Sequence, residues 1–301
     1  MRLRIKVLSL AVLLLQGGFF MASEAQAQRG PVSIPAGKMP LSPGNYEEAK
    51  TALESFRRYR LAGDTALRFR LEHKPKSSFF GPKVEAKTYH GDMYMTWRGD
   101  GPRSVVVFYD SPDRKNVVQA FLVQNGAHPE LWRWTPSGGV KSVDAAGLMA
   151  PVSEGLDFTA FDLQMPFLHW PDAAYEGRKI EGRHAHVFRM APPGSFKALN
   201  PGVGAVRLFL DDQFSAVSSF ELLDAKMGVT RSCTVDSLQK VDEQYFVRRV
   251  EYRDHGKGSK TVFSVDAAAT RMTMPASFFE SGSLPGVQKG AIPAVEFKSL
   301  D

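Results

Sequence analysis

The sequence predicts a mainly β fold with few helices, in which an antiparallel sheet curls into a barrel or a sandwich. Three observations support this prediction. Many short segments alternate apolar and polar residues, turn-forming residues separate these segments at even spacing, and only two stretches show a helical period. A chain of 301 residues can form one domain of this class or two smaller domains.

The first 27 residues have the pattern of a secretory signal peptide. A basic end precedes an apolar run from Val7 to Leu15, and a small-x-small cleavage site ends at Ala27. The apolar run is shorter than the roughly 20 residues that span a bilayer. We therefore predict export to the periplasm with cleavage near Ala27. A flexible leader rich in Pro, Gly and Ser is expected over residues 28–44, and one domain over residues 45–301.

The net charge and the cysteine content of the sequence argue against several functions. The formal net charge of +6 falls by two when the predicted signal peptide is removed, and the remaining basic residues are scattered along the chain. This pattern argues against nucleic-acid binding and permits peripheral contact with membranes at most. Cys233 is the only cysteine, so no intramolecular disulfide forms. Its strand-like surroundings predict a buried, unreactive thiol.

The first ordered element is predicted to be a helix that begins after Asn45. This residue caps the helix together with Glu48, three positions later, in a variant of the capping box. An apolar stripe through Ala49, Leu53 and Phe56 then marks one side. We expect this helix to run to about residue 60.

Strands dominate the rest of the chain. From residue 65 the apolar residues Leu67, Phe69 and Leu71 alternate with charged residues, which predicts a half-buried antiparallel strand. A turn is expected at Gly91-Asp92. Further strands are predicted at residues 84–89, 93–98, 104–109, 117–123, 130–135, 175–180, 184–190, 205–210, 216–223, 229–238, 244–252 and 260–265.

The stretch from residue 131 to residue 170 is the most unusual part of the sequence. In a strand, Trp132 and Trp134 share one face while Arg133 points to the other. Apolar residues from Phe158 to Leu168 then recur at three- and four-residue steps, which predicts a short helix limited by Pro166. Such a helix on a long loop either seals a core or covers a cavity, and the pattern fits both.

Several predicted strands carry large apolar groups on one face, among them Met95 with Trp97, and Phe188 with Met190. A sheet with one apolar face must cover it with a second sheet, with helices or with a ligand. Because only two helices are predicted, the sequence suggests a ligand cavity. A sheet folded back on itself is the alternative, and it needs no ligand.

Motifs for catalysis or for a cofactor were not found. The sequence has no nucleophile elbow, phosphate-binding loop, dinucleotide fingerprint or zincin helix. His184 and His186 share one strand face, but two histidines without a nearby cysteine or acidic cluster do not complete a metal site. We therefore predict neither an enzyme nor a bound metal or cofactor.

The order of these features resembles the LolA-like family of outer-membrane lipoprotein-sorting proteins. The resemblance is carried by the signal peptide, the capped helix, the strand meander, and the segments Leu131-Trp132-Arg133-Trp134-Thr135-Pro136, Gly155-Leu156-Asp157-Phe158-Thr159 and Asp162-Leu163. It implies an incomplete, curved antiparallel β-barrel with a helical lid, whose apolar concave face holds the acyl chains of a lipoprotein.

The resemblance implies a periplasmic carrier that binds lipoprotein acyl chains or another lipid, with an inner-membrane exporter and an outer-membrane acceptor as partners. The alternatives are an envelope-stress or regulatory lipid sensor on the same fold, and, from a different class, a periplasmic hydrolase. A purely structural envelope protein predicts a filled interior. The residues expected to line or cover the cavity are Trp132, Trp134, Phe158, Phe161, Leu168, Met95, Trp97 and Phe188.

Overall fold

The computed structural model describes residues 41–60, 62–76, 86–98, 101–126, 128–180, 183–214 and 216–300. The predicted signal peptide lies outside these residues. The strands are, in chain order, β1 (Asp64–Lys74), β2 (Lys87–Arg98), β3 (Gly101–Tyr109), β4 (Val117–Gln124), β5 (Glu130–Thr135), β6 (Gly139–Ser142), β7 (Ala173–Lys179), β8 (Ala185–Met190), β9 (Val203–Asp211), β10 (Ala216–Asp224), β11 (Val229–Val241), β12 (Gln244–Asp254), β13 (Ser259–Met272) and β14 (Lys298–Ser299).

The helices are short except for the first. They are α1 (Tyr46–Arg57), α2 (Ala145–Leu148), α3 (Ala160–Gln164), α4 (Gly194–Leu199) and α5 (Leu284–Val287), and single 3₁₀ turns lie at Pro166–His169, Ala276–Phe279 and Ser281–Ser283. In the part of the chain that the structure describes, no helix is both long and apolar enough to cross a membrane.

All strands belong to one antiparallel sheet. Its order is β6-β5-β4-β3-β2-β1-β13-β12-β11-β10-β9-β8-β7, and β14 pairs with β13 beside this path. The pairing of β1 with β13 joins an N-terminal half, which runs from β1 to β6, to a C-terminal half, which runs from β13 back to β7. Among the described residues, the edge strands β6 and β7 do not pair with each other. The predicted fold class, an incomplete antiparallel barrel, is confirmed.

Other parts of the chain cover the inner face of the sheet and part of its outer face. The inner face is apolar and packs against α1, through Ala49, Leu53 and Phe56, and against residues 145–170. The outer face of β2 to β5 packs against the C-terminal residues from Met274 onward. The strand period explains this division, since Met93 and Met95 of β2 face inward while Tyr94 between them faces outward.

The capped helix and the first strand follow the sequence prediction. The Asn45 side chain accepts hydrogen bonds from the backbone N–H groups of Glu47 and Glu48, at 3.0 and 3.2 Å, so it caps α1 as expected. The helix ends at Arg57, three residues before the predicted end. The structure also describes residues 41–44 of the predicted leader, where Ser42 forms an antiparallel bridge with Arg178 of β7.

The turn expected at Gly91-Asp92 is wrong. β2 runs without interruption through these residues, and Gly91 lies opposite Phe69 of β1. The Phe69 ring occupies the space that a side chain at position 91 would fill, because a Cβ atom there would lie 2.2 Å from the ring carbon Cζ. The glycine is therefore explained by close packing within a strand and not by a turn.

Replacing Gly91 by alanine should destabilise the protein by about 1–3 kcal/mol, as overpacking of a tight core typically does. The Phe69 ring cannot retreat freely, because it stacks on Phe263 with ring centroids 4.9 Å apart. Urea unfolding at neutral pH measures the change. The control is Gly194→Ala, where an added Cβ meets nothing within 4 Å. Equal stability of the two variants would contradict the packing argument.

Candidate functional site

The candidate site is the inner face of the sheet and the segment that closes over it. We call residues 145–170 the cover; it contains α2, α3 and the 3₁₀ turn Pro166–His169. Phe158 of the cover meets Tyr252 of β12 with ring centroids 4.9 Å apart, and Phe167 meets Phe220 of β10 at 4.8 Å. The buried apolar side chains of the cover include Leu148, Val152, Leu156, Phe158, Phe161, Leu163, Met165, Phe167, Leu168 and Trp170.

Local signals in the sequence shape the cover. Thr159 and Asp162 form a capping box: the Thr159 Oγ1 accepts the Asp162 N–H at 3.3 Å, and the Asp162 carboxylate accepts the Thr159 N–H at 2.8 Å. Met165 has a left-handed backbone with a φ of 48° just before Pro166. The predicted short helix therefore ends before Pro166, as expected, because the helical conformation is disfavoured for a residue that precedes a proline. Leu168 lies in the separate 3₁₀ turn that follows.

Arg231 of β11 anchors α3 from the sheet. Its guanidinium forms an ion pair with Asp162 and donates to the Asp157 carbonyl at 2.7 Å and to the Thr159 Oγ1 at 3.2 Å. Burial alone would lower the pKa of Arg231, but the charge and hydrogen bonds of Asp162 outweigh burial, so the pKa is raised. A buried ion pair with its hydrogen bonds satisfied is costly to break on one side only.

Asp157 forms a second anchor, between the cover and the turn that joins β12 to β13. Its carboxylate accepts hydrogen bonds from Lys257 Nζ at 2.6 Å and from Ser259 Oγ, and His73 Nδ1 lies 3.7 Å away. Burial would raise the pKa of Asp157, but the hydrogen bonds from Lys257 and Ser259 prevail and lower it. The anchor is therefore charged at neutral pH.

A third anchor joins the end of the cover to α1. Arg57 donates from Nε to the Leu168 carbonyl at 2.7 Å and from Nη2 to the Trp170 carbonyl at 2.8 Å. Burial lowers the pKa of Arg57, and burial with the nearby Arg57 charge lowers the pKa of His169 to about 4. His169 is consequently uncharged at neutral pH, which avoids a second positive charge beside Arg57.

A pocket opens between the cover and the sheet. It has a volume of about 570 Å³ and lies next to the Arg231 anchor. Its wall combines a methionine of the cover with apolar side chains of β9, β10 and β11, and polar groups of the turn after β12 also line it. We call it the mouth pocket, and its lining includes Met149, Val203, Leu222, Val229, Arg231 and His255.

The structure brings together five of the eight residues expected to line or cover a cavity. They share one buried cluster on the inner face: Met95, Phe158, Phe161, Leu168 and Phe188. Trp97 follows Met95 by two residues in β2 and so points to the same face, where the Arg60 guanidinium lies 5.2 Å from its ring centroid. Their role in ligand binding stays a prediction.

Trp132 and Trp134 lie elsewhere. They share one face of β5, as predicted, but both indoles pack in the outer cluster with the C-terminal residues. Leu131 points inward instead, and the Arg133 guanidinium lies 5.7 Å from the ring centroid of Phe121 on the inner side. Strand alternation fixed the pairing of the indoles, but the sequence could not show which face of β5 would meet the cover.

The anchoring residues Arg57, Arg231, Asp157 and Asp162 received no role from sequence reasoning. The Thr159-x-x-Asp162 spacing was a readable capping signal. By contrast, Arg57 and Arg231 are distant in sequence from the cover residues they bind, and no local pattern connects them.

The other candidate groups do not assemble into a chemical site. His186 is buried beside Asp212, with Nε2 3.5 Å from the carboxylate, whereas His184 is exposed. Within the described ranges, no three His, Cys, Asp or Glu side chains come together as a metal site would require. Cys233 is buried as predicted, and burial raises the pKa of its thiol well above the usual value.

Replacing Asp157 by asparagine should change how stability depends on pH. Because the carboxylate has a lowered pKa in the folded protein, its contribution is present above the unfolded pKa of about 4 and is lost as pH falls through the folded value. We expect Asp157→Asn to cost about 1–3 kcal/mol at pH 7 and less at pH 3. Urea unfolding at both pH values measures this difference.

The matched control for that experiment is Asp172→Asn, which alters an exposed aspartate next to β7. It should leave stability within about 0.5 kcal/mol of the unmodified protein at both pH values. A constant difference between the unmodified protein and Asp157→Asn from pH 7 to pH 3 would show that the charge of Asp157 does not support the anchor.

Comparison with known proteins places this geometry in a fold family. No protein-family model matches the sequence. No curated protein matches it either. Solved structures do match. A candidate outer membrane lipoprotein-sorting protein domain from Vibrio parahaemolyticus superposes with a TM-score of 0.64 at 16% identity, over 79% of this chain and 97% of that one.

Two further structures agree. A DUF1329 family protein from Desulfovibrio piger has a TM-score of 0.62 at 16% identity, over 79% of this chain and 97% of its own. A LolA superfamily protein from Nitrosomonas europaea has a TM-score of 0.55 at 13% identity, over 78% and 96%. At these identities the likeness is one of fold. The chain therefore has the LolA-like fold, as the resemblance in its sequence implied.

Proposed function

We propose that this protein is a periplasmic carrier that binds the acyl chains of lipoproteins or of another lipid between its sheet and its cover. The observation that carries the proposal is the way in which the inner face is closed. Over much of its area this face is covered by residues 145–170, which hold only short helices. They pack on the sheet through buried apolar side chains, and polar anchors join them to the sheet and to α1. A cover of this kind can move without unpairing the strands.

In the closed arrangement the cover's own aromatic side chains occupy the inner face. Phe161, for example, packs against Phe167 and Phe196 with ring centroids 5.6 and 5.7 Å apart. An acyl chain would replace such contacts with its own, and burial of each methylene is worth about 0.8 kcal/mol. Burial of the acyl methylenes would therefore offset the cost of displacing the cover's aromatic side chains and of breaking its anchors, each worth about 1–3 kcal/mol, only where the acyl chain takes over the contacts that those side chains make.

This function requires binding and release but no chemical step. The fold supports a carrier in preference to an enzyme, because this chain shares it with a domain described as lipoprotein-sorting. An inner-membrane exporter and an outer-membrane acceptor are the partners that such a carrier would need, and they form part of this proposal. Export itself rests on the signal-peptide pattern of residues 1–27.

The first experiment is to purify the mature protein from periplasm without detergent, to record its native mass, and to extract whatever is bound. An added mass that resolves into phospholipid or an acylated polypeptide supports the carrier. A bare protein that also fails to bind a fluorescent fatty acid in vitro would refute it.

Tryptophan quenching can test where the acyl chain lies. The chain has four tryptophans, so three Trp→Phe substitutions leave one reporter at a time. A brominated fatty acid should quench Trp170 of the cover, which packs in the inner cluster, and should leave Trp134 of the outer cluster unquenched. Equal quenching of both reporters would contradict binding at the inner face.

Removing the Arg57 anchor should tighten lipid binding. If the closed protein must open before it binds, a smaller opening cost raises the fraction that is competent to bind and lowers the apparent Kd. We expect Arg57→Gln to bind a fluorescent fatty acid about 5- to 20-fold more tightly, which corresponds to the loss of two hydrogen bonds. Fluorescence titration measures the change.

Arg58→Gln is the matched control, because Arg58 is the next residue of the chain and its side chain is 81% exposed. It should bind the probe like the unmodified protein. Weaker binding by a folded Arg57→Gln protein, verified by circular dichroism, would show that Arg57 supports the binding site and does not restrain the cover.

A further inference from the structure

Two large apolar side chains are exposed at the end of the sheet where the mouth pocket opens. Leu199 at the end of α4 is 54% exposed, and Met227 in the turn between β10 and β11 is 40% exposed. Both lie close in sequence to residues that line the pocket, Asn200 and Val229. The first residue of β9, Val203, pairs with Asp224 at the end of β10, so the two segments adjoin in space.

The helix and the turn that carry these two side chains are held in place by specific contacts. α4 is held by the burial of Phe196 and by the Asn200 side chain, which donates to the Ala145 carbonyl at 2.8 Å. The turn that carries Met227 is fixed by Asp224, whose Oδ1 accepts the N–H groups of Lys226 and Gly228, each at 2.8 Å. Met227 itself has a φ of 66°, a conformation that non-glycine residues rarely adopt. Its exposure is therefore a feature of the folded turn.

Three exposed lysines lie at the same end of the sheet as these apolar side chains. Lys197 and Lys226 are exposed beside Leu199 and Met227, and Lys76 is exposed near the turn between β12 and β13, where it approaches Gly258. In the described part of the chain, no hydrogen bond or ion pair engages the ammonium groups of these three lysines.

Two acidic groups lie nearby, and each accepts hydrogen bonds within its own turn. Asp224 caps its own turn, and Asp254 accepts the Lys257 N–H at 2.9 Å. Lys257 in turn binds the buried Asp157. This end of the sheet thus presents two exposed apolar side chains and three lysines whose ammonium groups have no partner among the described residues. We call Lys76, Lys197, Leu199, Lys226 and Met227 the rim.

We propose that the rim docks on the surface of a lipid bilayer that carries anionic headgroups. Leu199 and Met227 enter the interfacial layer, and the lysines lie against the headgroups, the combination that binds peripheral proteins to membranes. The mouth pocket then faces the bilayer. If the proposed carrier function holds, an acyl chain passes between the membrane and the inner face along the apolar wall of this pocket, without crossing water.

Vesicle flotation tests the docking. The full mature protein is mixed at low salt with vesicles of phosphatidylcholine alone or of phosphatidylcholine with an equal part of phosphatidylglycerol, and the floated fraction is measured. We expect binding to the anionic vesicles that falls as salt rises, and at least tenfold weaker partition onto the neutral ones, because anionic headgroups attract the lysines and salt screens this attraction.

Substitutions locate the contact. The double variant Leu199→Ser/Met227→Ser should partition at least tenfold more weakly onto anionic vesicles. The matched control is Ile180→Ser, which removes an apolar side chain that is 50% exposed at the opposite end of the sheet, in the connection between β7 and β8. The control should bind vesicles like the unmodified protein.

The outcomes separate this inference from the proposed function. Absence of flotation with anionic vesicles, or an equal loss in the Ile180 control, overturns the docking surface, and a partner protein then becomes the better occupant of the rim. Fatty-acid binding in vesicle-free solution tests the carrier alone and should be unchanged in the double variant. Docking without fatty-acid binding would support membrane docking by the rim and would refute the proposed carrier function.

Discussion

The constraint on which the structure depends is the inner face of an open sheet. The strands from β6 to β7 place a continuous apolar surface on one side, and among the described residues these edge strands do not close on each other. A closed barrel or a second sheet would bury such a surface with strands. Here α1 and residues 145–170 do so, and helices this short are not stable without the sheet beneath them.

That dependence explains the polar anchors. The cover gains its stability from buried aromatic contacts. Its position is set by Arg57 of α1 and Arg231 of β11, which reach it from other elements, and by its own Asp157, which binds Lys257 in the turn after β12. Each of these groups is charged and removed in part from water, so the arrangement tolerates the loss of one partner poorly. A cover held in this way is compatible with the proposed carrier function, in which the cover exchanges its own contacts for those of a ligand.

The outer face shows that burial alone does not identify a site. Trp132 and Trp134 form a conspicuous aromatic pair, yet they pack beneath the C-terminal residues, together with Phe278 and Phe279. That end of the chain is itself anchored, since Asp64 accepts the Met274 N–H at 2.6 Å and Arg98 donates to the Met274 carbonyl at 2.6 Å. The sheet is thus the middle layer of three in its N-terminal half, and the indoles belong to the layer opposite the cover.

The sequence by itself determined the elements whose signals are local. The period of two gave most strands, the Asn45 cap gave α1, and the alternation in β5 gave the shared face of the two indoles, because each of these depends on neighbouring residues alone. The turn predicted at Gly91 was wrong, because this glycine makes room for the ring of Phe69 on the neighbouring strand. Only the tertiary structure decided which face of β5 meets the cover. It also decided which distant arginines hold the cover and where the pocket opens, because these features arise between elements that are far apart in sequence. An alternating pattern shows that two faces differ, but what each face meets is set by the packing of the whole chain.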